Sequence, residues 1–322
     1  MTYTSGGLIQ ATDYNGFVST TAGANVNDVW ATGASDKGWG QSALATVSAT
    51  NTITATQWAS LVNTIASMGS QTGTTITART APTAGTTISV LAAVNTDLTN
   101  VTTNRNNAVA VGTQYTAWTG TNSKTAATSG ATWTITFTNT VTFASAAAAR
   151  YFFNAGGLIK LDVAKSSTGA TGDPEWNDLA TTLCGDIYFS GVAASHNIAA
   201  VAYTGTTKIG GTGTPTTLST ATGYYALTPG AAATIIYKQF ADTAPYTSNF
   251  IQTSVALDAT SAILTFTTLW SASDGDPITG GTASSGATPG TAPTTICTYF
   301  PPSTTYLTTA SWGTPTVAAT TA

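Results

Sequence analysis

Residues able to carry acid–base or nucleophilic chemistry are scarce in this sequence. His196 is its one histidine and Glu175 its one glutamate, whereas metal and acid–base sites usually combine several His, Asp or Glu residues. A Ser/His/Asp triad would need His196 as its base, and the surrounding AASHNIAA lacks the Gly-x-Ser-x-Gly pattern of a nucleophile elbow. We therefore expect no catalytic site and no enzyme activity.

Carboxylates cluster at two places, and both clusters have a structural explanation. Asp173, Glu175 and Asp178 are close enough in sequence for the two-carboxylate chemistry of glycoside hydrolysis. They open a predicted helix, however, where the helix dipole favours acidic residues. Asp274 and Asp276 supply only a fragment of the roughly six to eight oxygen ligands that Ca²⁺ takes, which favours an ordinary turn. We expect no metal and no cofactor, with ion binding at Asp274 and Asp276 left open.

The two cysteines and the glycine doublets also indicate structure rather than chemistry. Cys184 and Cys297 lack metal-ligand spacing, and two free, buried thiols fit them better than a disulfide, although the sequence leaves both open. The doublets have neither the lysine nor the helix of a phosphate-binding loop. We interpret them all as turns: Gly6-Gly7, Gly156-Gly157, Gly210-Gly211 and Gly280-Gly281.

The composition favours a subunit of an assembly. Hydrophobic residues make up 42% of the 322 residues, but charged residues make up only 7%, against roughly 25% in typical soluble domains. A free monomer usually relies on a charged surface, so this deficit indicates surfaces covered by partners; an extracellular polar β-protein is the alternative. With a net charge of −4 and no basic cluster, we expect no nucleic-acid partner. No apolar run reaches the ~18 residues of a membrane span, and the start, MTYTSGGLIQ, does not resemble a signal peptide.

The first part of the chain carries a clear helical pattern. Apolar residues recur at helical spacing in ITATQWASLVNTIASMGSQTG, which predicts a helix from about Ala55 to Met68. Thr54 and Gln57 form a capping box before it, and Gly69 provides the stop.

A second helical pattern, in ISVLAAVNTDLTNVTTNRNNA, has only a narrow apolar seam, formed by Leu91, Val94, Leu98 and Val101. Such a seam packs on one neighbour. That neighbour is either a three-stranded bundle in an oligomer or the first helix in a helical hairpin. We therefore expect residues 1–111 to be an N-terminal helical region for docking and oligomerisation.

Residues 112–272 are expected to form a β-rich domain with short inserted helices. TWTITFTNTVTF places Trp133, Ile135 and Phe137 on one face and threonines on the other, the pattern of a half-buried strand. LIKLDV and DIYF are further strands, and ATIIYKQF, SNFIQTSVAL and SAILTFTTLW suit an antiparallel meander. Residues 273–322 form a Gly-, Pro- and Thr-rich segment that should run extended along another surface or be poorly ordered. The predicted class is α+β, mainly β, with an antiparallel β-sandwich-like domain.

The segment Arg150–Gly157, RYFFNAGG, concentrates aromatic residues and a cation in a chain rich in Thr, Ala and Gly. Ser145 can cap a short helix that leads into a turn over Asn154–Gly157, with a glycine at positive φ. We expect Phe152 and Phe153 to supply core, and the arginine to pair with a carboxylate or a carbonyl at the helix end. The eight tryptophans and twelve tyrosines also fit core and subunit interface better than a sugar-stacking surface.

The longer stretch TVTFASAAAARYFFNAGGLIKL resembles a segment of virion structural proteins of tailed bacteriophages, especially those that infect cyanobacteria and other aquatic bacteria. LIQATDYNGF, GWGQ and NTITATQWASLVNTI before it are similar to the entry of the same proteins. YTSNFIQTSVALD and LTFTTLWSASDGD fit their C-terminal half. The pieces occur in the same order and span roughly residues 8–276.

The resemblance implies a structural role in the virion, in the tail, baseplate, neck or fibre-attachment region, with no catalytic motif. Its partners would be other virion proteins, and the chain would assemble in the host cytoplasm as a homo-oligomer, with a trimer favoured. A capsid decoration protein is the nearest alternative. A receptor-binding module for a host surface glycan is an alternative of another class, and the residue inventory disfavours a lytic or depolymerising enzyme. The low charge around GGLIKLDV departs from the family pattern and leaves the position in the virion open.

Replacing Phe152 or Phe153 by alanine is expected to lower the free energy of unfolding by roughly 3 to 5 kcal/mol, because a buried phenylalanine leaves a cavity behind. Urea unfolding of each variant beside the unmodified chain measures the loss. A loss below about 0.5 kcal/mol, as at a surface position, would return a binding role to the segment.

Overall fold

A computed structural model describes residues 9–19, 23–85, 91–107, 118–123, 132–167, 173–191, 197–198, 201–273, 278–279, 282–283 and 293–321. Helices and antiparallel strands occupy similar shares of these residues. The fold is therefore a mixed one of helices and antiparallel sheets, and the expectation of a mainly β chain is wrong. The excess of helix comes from the first hundred residues and from two helices between strands.

The helices are α1 (Ala11–Val18), α2 (Val26–Val29), α3 (Ala55–Thr72), α4 (Leu91–Thr103), α5 (Ala146–Asn154) and α6 (Asp173–Asp178), which continues as a π-helix over Leu179–Cys184. Short 3₁₀ helices cover Tyr224–Ala226 and Thr309–Ser311. The strands are β1 (Trp118–Ser123), β2 (Trp133–Thr142), β3 (Leu158–Ala164), β4 (Asp186–Phe189), β5 (Asn197–Ile198), β6 (Val201–Ala202), β7 (Thr206–Ile209), β8 (Thr217–Leu218), β9 (Thr234–Phe240), β10 (Phe250–Leu257), β11 (Ile263–Ala272), β12 (Ile278–Thr279), β13 (Thr282–Ala283), β14 (Thr294–Phe300) and β15 (Thr316–Thr321).

Helix α3 confirms the first predicted helix and extends it. The Thr54 hydroxyl accepts from the N–H of Gln57, whose side chain accepts from the N–H of Thr54, so the predicted capping box is present. The predicted stop at Gly69 is wrong, because the helix ends at Gly73, which has a φ of 62°. A Cβ at Gly69 would lie 3.0 Å from Cγ2 of Ile76. This glycine therefore makes room for the segment that follows the helix.

Helix α4 packs its narrow apolar seam inside the chain. Val94, Leu98 and Val101 are fully buried, and α4 contacts α1 and α3. The side chain of Leu91 lies outside the described residues. Of the two arrangements expected from the sequence, packing on the first predicted helix is the one observed, and the buried part of the seam is not free for a three-stranded bundle.

A buried ion pair fastens the segment after α3 to α4. The side chains of Arg79 and Asp97 form the pair and are only 2% and 4% exposed. The Asp97 carboxylate also accepts from the backbone N–H of Thr77 at 3.2 Å. Because a buried charge without its partner is costly, these contacts fix the course of the segment over α4.

Two antiparallel sheets hold most of the strands. The five-stranded sheet has the order β1-β14-β3-β4-β7, and the six-stranded sheet has the order β15-β2-β11-β10-β9-β8. The predicted meander is confirmed as the neighbours β9, β10 and β11. The predicted strands LIKLDV and DIYF are β3 and β4, which pair with each other.

Strands β14 and β15 come from the Gly-, Pro- and Thr-rich segment 273–322. β14 lies between β1 and β3, and β15 pairs with β2 at the edge of the other sheet. Both strands are extended, and the surface along which they run is the chain's own pair of sheets. The domain boundaries expected at residues 111 and 272 stay predictions.

The two sheets meet through aromatic side chains and lie close at both margins. Phe189 of β4 and Phe266 of β11 are fully buried and contact edge to face, with ring centroids 5.3 Å apart. β1 lies beside β15 at one margin, and β7 lies beside β8 at the other. Unpaired strand edges invite pairing with other chains, and here edge strands of the two sheets lie next to each other.

Gly40→Ala is expected to destabilise the fold more than Gly313→Ala. Both glycines are left-handed, with φ of 68° and 64°, a conformation that costs an alanine about 1–2 kcal/mol. A Cβ at Gly40 would lie 2.4 Å from the Tyr151 ring and from Cβ of Ser311, whereas nothing lies within 4 Å of one at Gly313. Overpacking should add about 1–3 kcal/mol at Gly40 only. Urea unfolding compares the two variants, and equal losses would contradict the packing described here.

Candidate functional site

The RYFFNAGG segment forms the second half of helix α5 and the turn after it, and it holds distant parts of the chain together. Ser145 caps the helix as predicted, its hydroxyl accepting from the N–H of Ala148 at 3.1 Å. Arg150 pairs with carbonyls, one of the two predicted alternatives, but they belong to the loop after α2 rather than to a helix end. Its Nη1 donates to the carbonyl of Ser35 at 2.5 Å, and its Nη2 donates to the carbonyl of Thr32 at 2.8 Å.

Asn154, the last residue of α5, uses both polar atoms of its side chain. It is 2% exposed. Its Nδ2 donates to the carbonyls of Asp36 at 2.7 Å and Gly38 at 2.9 Å, and its Oδ1 accepts from the Tyr225 hydroxyl at 2.7 Å. The expected turn starts one residue later than predicted, with Gly156 at a φ of 100°. Asn154 therefore links buried segments of the chain through its side chain and is not a turn residue.

The two phenylalanines of the segment belong to the core, as predicted. Phe152 and Phe153 are 0% and 2% exposed. Phe153 stacks on Tyr224 with ring centroids 4.9 Å apart, and Phe152 packs against Phe143 at 5.1 Å. A Cβ at Gly157 would lie 2.4 Å from the Phe152 ring, so this doublet serves close packing. The segment offers no ring to a ligand.

Aromatic side chains elsewhere are also mostly internal. The largest fully buried side chains include five of the eight tryptophans: Trp39, Trp58, Trp176, Trp270 and Trp312. In the part of the chain that the structure describes, the large apolar side chains classed as exposed are Ile235 and Tyr306, at 42% and 40%. The described residues thus present no cluster of exposed rings on which a sugar could stack.

The carboxylates and the histidine considered for catalysis lie either in helix α6 or outside the described residues. Helix α6 begins at Asp173, with Pro174 in its first turn, and Glu175 and Asp178 lie in the same short helix. Outside the described residues lie the side chain of Asp173, all of His196, Asp274 and Asp276, and the doublets Gly6-Gly7 and Gly280-Gly281. No group of three or more His, Cys, Asp or Glu side chains among the described residues could hold a metal ion.

The two cysteines and the doublet Gly210-Gly211 have the structural roles expected of them. Cys184 and Cys297 are free and fully buried, which excludes the disulfide alternative. Burial raises the pKa of each thiol to about 12, so neither is a thiolate at neutral pH. Gly210 and Gly211 both have positive φ, 74° and 62°, and form the turn after β7.

One charged cluster was not indicated by the sequence patterns. On the outward face of the five-stranded sheet, Lys160 of β3 lies opposite Tyr188 of β4. Lys160 Nζ lies 2.8 Å from Oδ2 of Asp186 and 3.9 Å from Oδ2 of Asp162. The alternation in LIKLDV and DIYF puts these side chains on one face of each strand, but only the pairing of β3 with β4 brings them together.

The electrostatics of this cluster are those of an ion pair with a second carboxylate beside it. Burial and then the charge of Asp186 raise the pKa of Asp162, against the opposing effect of Lys160. Burial would lower the pKa of Lys160, but the hydrogen bond and charge of Asp186 outweigh it and raise that pKa. Lys160 therefore stays cationic at neutral pH, which suits neither a nucleophile nor a base.

Threonines make up most of the outward side of β15, β2 and β11 in the six-stranded sheet. In the pairing of β2, Thr138 lies opposite Thr320 of β15 and Thr267 of β11, and Thr140 lies opposite Thr265. The alternate residues of β2, such as Phe137, are buried on the inner side. We call this surface the threonine face; it comprises Thr134, Thr136, Thr138, Thr140 and Thr142 of β2, Thr265 and Thr267 of β11, and Thr316 and Thr320 of β15.

The threonine face contains no charged side chain, and one cation lies at its margin. Among the described strands of this sheet, Lys238 of β9 is the charged residue on the outward side. Its Nζ lies 3.7 Å from the ring centroid of Phe250 and 4.5 Å from that of Phe240. Cation–π attraction to two rings holds the ammonium at this edge of the sheet.

Comparison of the chain with protein-family models, curated proteins and solved structures finds no match. None of the helices in the described ranges is both long enough and apolar enough to cross a membrane.

Asp162→Asn is expected to stabilise the protein slightly at neutral pH. Because the folded-state pKa of Asp162 lies above the ordinary value of 3.8, its ionisation opposes folding at pH above that folded-state pKa. The gain should be below about 1 kcal/mol, since a third of the side chain faces solvent. It should vanish at acidic pH, where the native carboxyl is protonated.

Asp186→Asn is the matched control. It removes the carboxylate that lies 2.8 Å from Lys160, so we expect no gain from it. Thermal unfolding of both variants at neutral and acidic pH makes the comparison. Equal gains in stability from the two variants at neutral pH would contradict the assignment of Asp186 as the partner of Lys160 and of Asp162 as the destabilising carboxylate.

Proposed function

We propose that this protein is a structural component of a tailed-phage virion and acts by assembling with copies of itself and with other virion proteins. The threonine face carries the proposal. It is a broad sheet surface without a charged side chain, in a chain of which only 7% of residues are charged. Sheet faces of monomers are normally kept apart by charges, whereas a neutral hydroxyl surface suits contact with another protein.

The virion class is supported by the resemblance of the Arg150–Gly157 segment and its surroundings. In the fold this segment connects distant parts of the chain. Arg150 and Asn154 bind backbone carbonyls of residues 32–38, and Phe152 and Phe153 belong to the hydrophobic core. A segment with such internal roles suits a protein whose task is to hold a shape. Within the virion we place the chain in the tail, baseplate, neck or fibre-attachment region, as the resemblance implies.

We further propose that the two sheets pack face to face as a β-sandwich. The contact between Phe189 and Phe266 supports this arrangement, because these rings come from different sheets. The proximity of β1 to β15 and of β7 to β8 also supports it. Sheets packed in this way share one apolar layer and leave their outward faces for other contacts.

We propose no catalytic activity. The charged groups described above have structural contacts: Lys160 pairs with Asp186, Arg79 pairs with Asp97 in the interior, and Arg150 binds backbone carbonyls. The trimeric state stays a prediction from the sequence, without the α4 seam to support it. A glycan-binding role has no described surface of exposed rings in its favour.

Purified particles of the phage that encodes this chain should contain it in stoichiometric amounts, and a density map of the particle should place it in the tail, baseplate or neck. Mass spectrometry of gradient-purified particles, with a non-structural phage enzyme as the control, measures the first point. If the chain is absent from the particles and is found, like the control enzyme, only in the infected-cell fraction, the proposal that it is a virion component is wrong. Shortening of host surface polysaccharide by the purified chain would overturn the non-enzymatic part of the proposal.

A further inference from the structure

We propose that the threonine face is a contact between two copies of this chain, which pack their threonine faces together about a two-fold axis. The inference rests on the proposed function, because it names the surface and the partner through which self-assembly occurs. The partner is a second copy rather than another class of molecule, and the chemistry and size of the face argue for that choice.

The chemistry of the face is complementary to itself. A threonine hydroxyl both donates and accepts hydrogen bonds, so two identical arrays can satisfy each other in any order of donors and acceptors. A two-fold contact requires a surface of this kind, because the same patch meets itself. A charged partner would lose water from its charges without finding a countercharge on the face, which is unfavourable.

The outward side of the six-stranded sheet, which includes the threonine face, is large enough for a stable contact. β2 and β11 have 10 residues each, β10 has 8, β9 has 7 and β15 has 6. At a rise of about 3.4 Å per residue and a strand spacing of about 4.8 Å, the outward side of these five strands covers roughly 650 Å² per copy, of which the threonine face on β2, β11 and β15 is roughly 420 Å². The contact would therefore extend from the threonine face over the outward side of β10 and β9. Two copies would bury about 1,300 Å² in total, within the ~1,200–2,000 Å² of specific interfaces.

The position of the one cation agrees with this arrangement. Lys238 lies on β9, away from the central row of Thr138 and Thr267, and its ammonium lies over Phe250 and Phe240. Interfaces of this size have an uncharged centre and a polar rim. Lys238 would belong to the rim, where its charge stays in contact with water, and no like charge would be buried against it.

The test introduces a positive or a negative charge at the centre of the threonine face. Thr138→Lys and Thr138→Glu are made in the full chain, with Thr46→Lys as the control, since Thr46 is an exposed residue outside the sheets. Size-exclusion chromatography with light scattering gives the mass. We expect twice 32.4 kDa for the unmodified chain and for Thr46→Lys, and a single chain for each Thr138 variant. An equimolar mixture of the two Thr138 variants should return to twice the mass, because opposite charges then meet across the axis.

Circular dichroism and the unfolding temperature show whether each variant is folded, and Thr267→Lys replaces any Thr138 variant that is not. Masses of the Thr138 variants equal to that of Thr46→Lys would overturn the threonine face as the contact and leave self-assembly standing. The two-fold contact replaces the trimer expected from the sequence, so a mass of three chains for the unmodified protein would restore the trimer and overturn the two-fold contact, as would the mass of a single chain. The virion role is decided separately, by the presence of the chain in purified particles.

Discussion

The buried amide of Asn154 fixes the geometry on which much of this fold depends. The carbonyls of Asp36 and Gly38 lie in a loop, so neither helix nor sheet pairing can satisfy them, and the Asn154 Nδ2 does so. Its Oδ1 accepts from Tyr225, and its backbone carbonyl accepts from Nε1 of Trp39 at 3.1 Å. Each buried polar group left unpaired here would cost about 1–3 kcal/mol. The loop that contains Asp36 and Gly38, helix α5 and the 3₁₀ helix over residues 224–226 are therefore held in fixed positions relative to one another.

Neutral side-chain amides hold several distant segments of the chain together. The side chain of Asn15 binds both the carbonyl and the N–H of Val47, each at 2.8 Å, and so holds the segment 41–48 against α1. Gln41 donates to the carbonyl of Thr308 at 3.2 Å and accepts from its N–H at 2.9 Å. These contacts join segments that are far apart in sequence without adding charge. The low charge of the chain is thus compatible with a firmly fixed interior, and the threonine face carries no charged side chain.

Elements whose signals are local could be predicted from the sequence, and those that depend on distant partners could not. The caps at Thr54 and Ser145 were predictable because each uses residues within one helical turn. The end of α3 was misplaced because Gly69 resembles a stop, and only the packing of Ile76 against it shows otherwise. The pairing of Lys160 with Asp186 required knowledge of which strands are neighbours. The alternation of β2 revealed its threonines, but the matching rows on β11 and β15 come from strand registers that no local pattern encodes.

Strand β14 makes the order of synthesis important for this protein. It fills the place between β1 and β3, yet residues 294–300 leave the ribosome after all the other strands of that sheet. Until then β3 has one open edge, which can pair wrongly with another nascent chain. Closure also joins residues of large sequence separation, which is slow. Production in the cell, rather than the stability of the finished fold, is therefore the stage at which this chain is most exposed to aggregation, and the stage at which chaperones matter most.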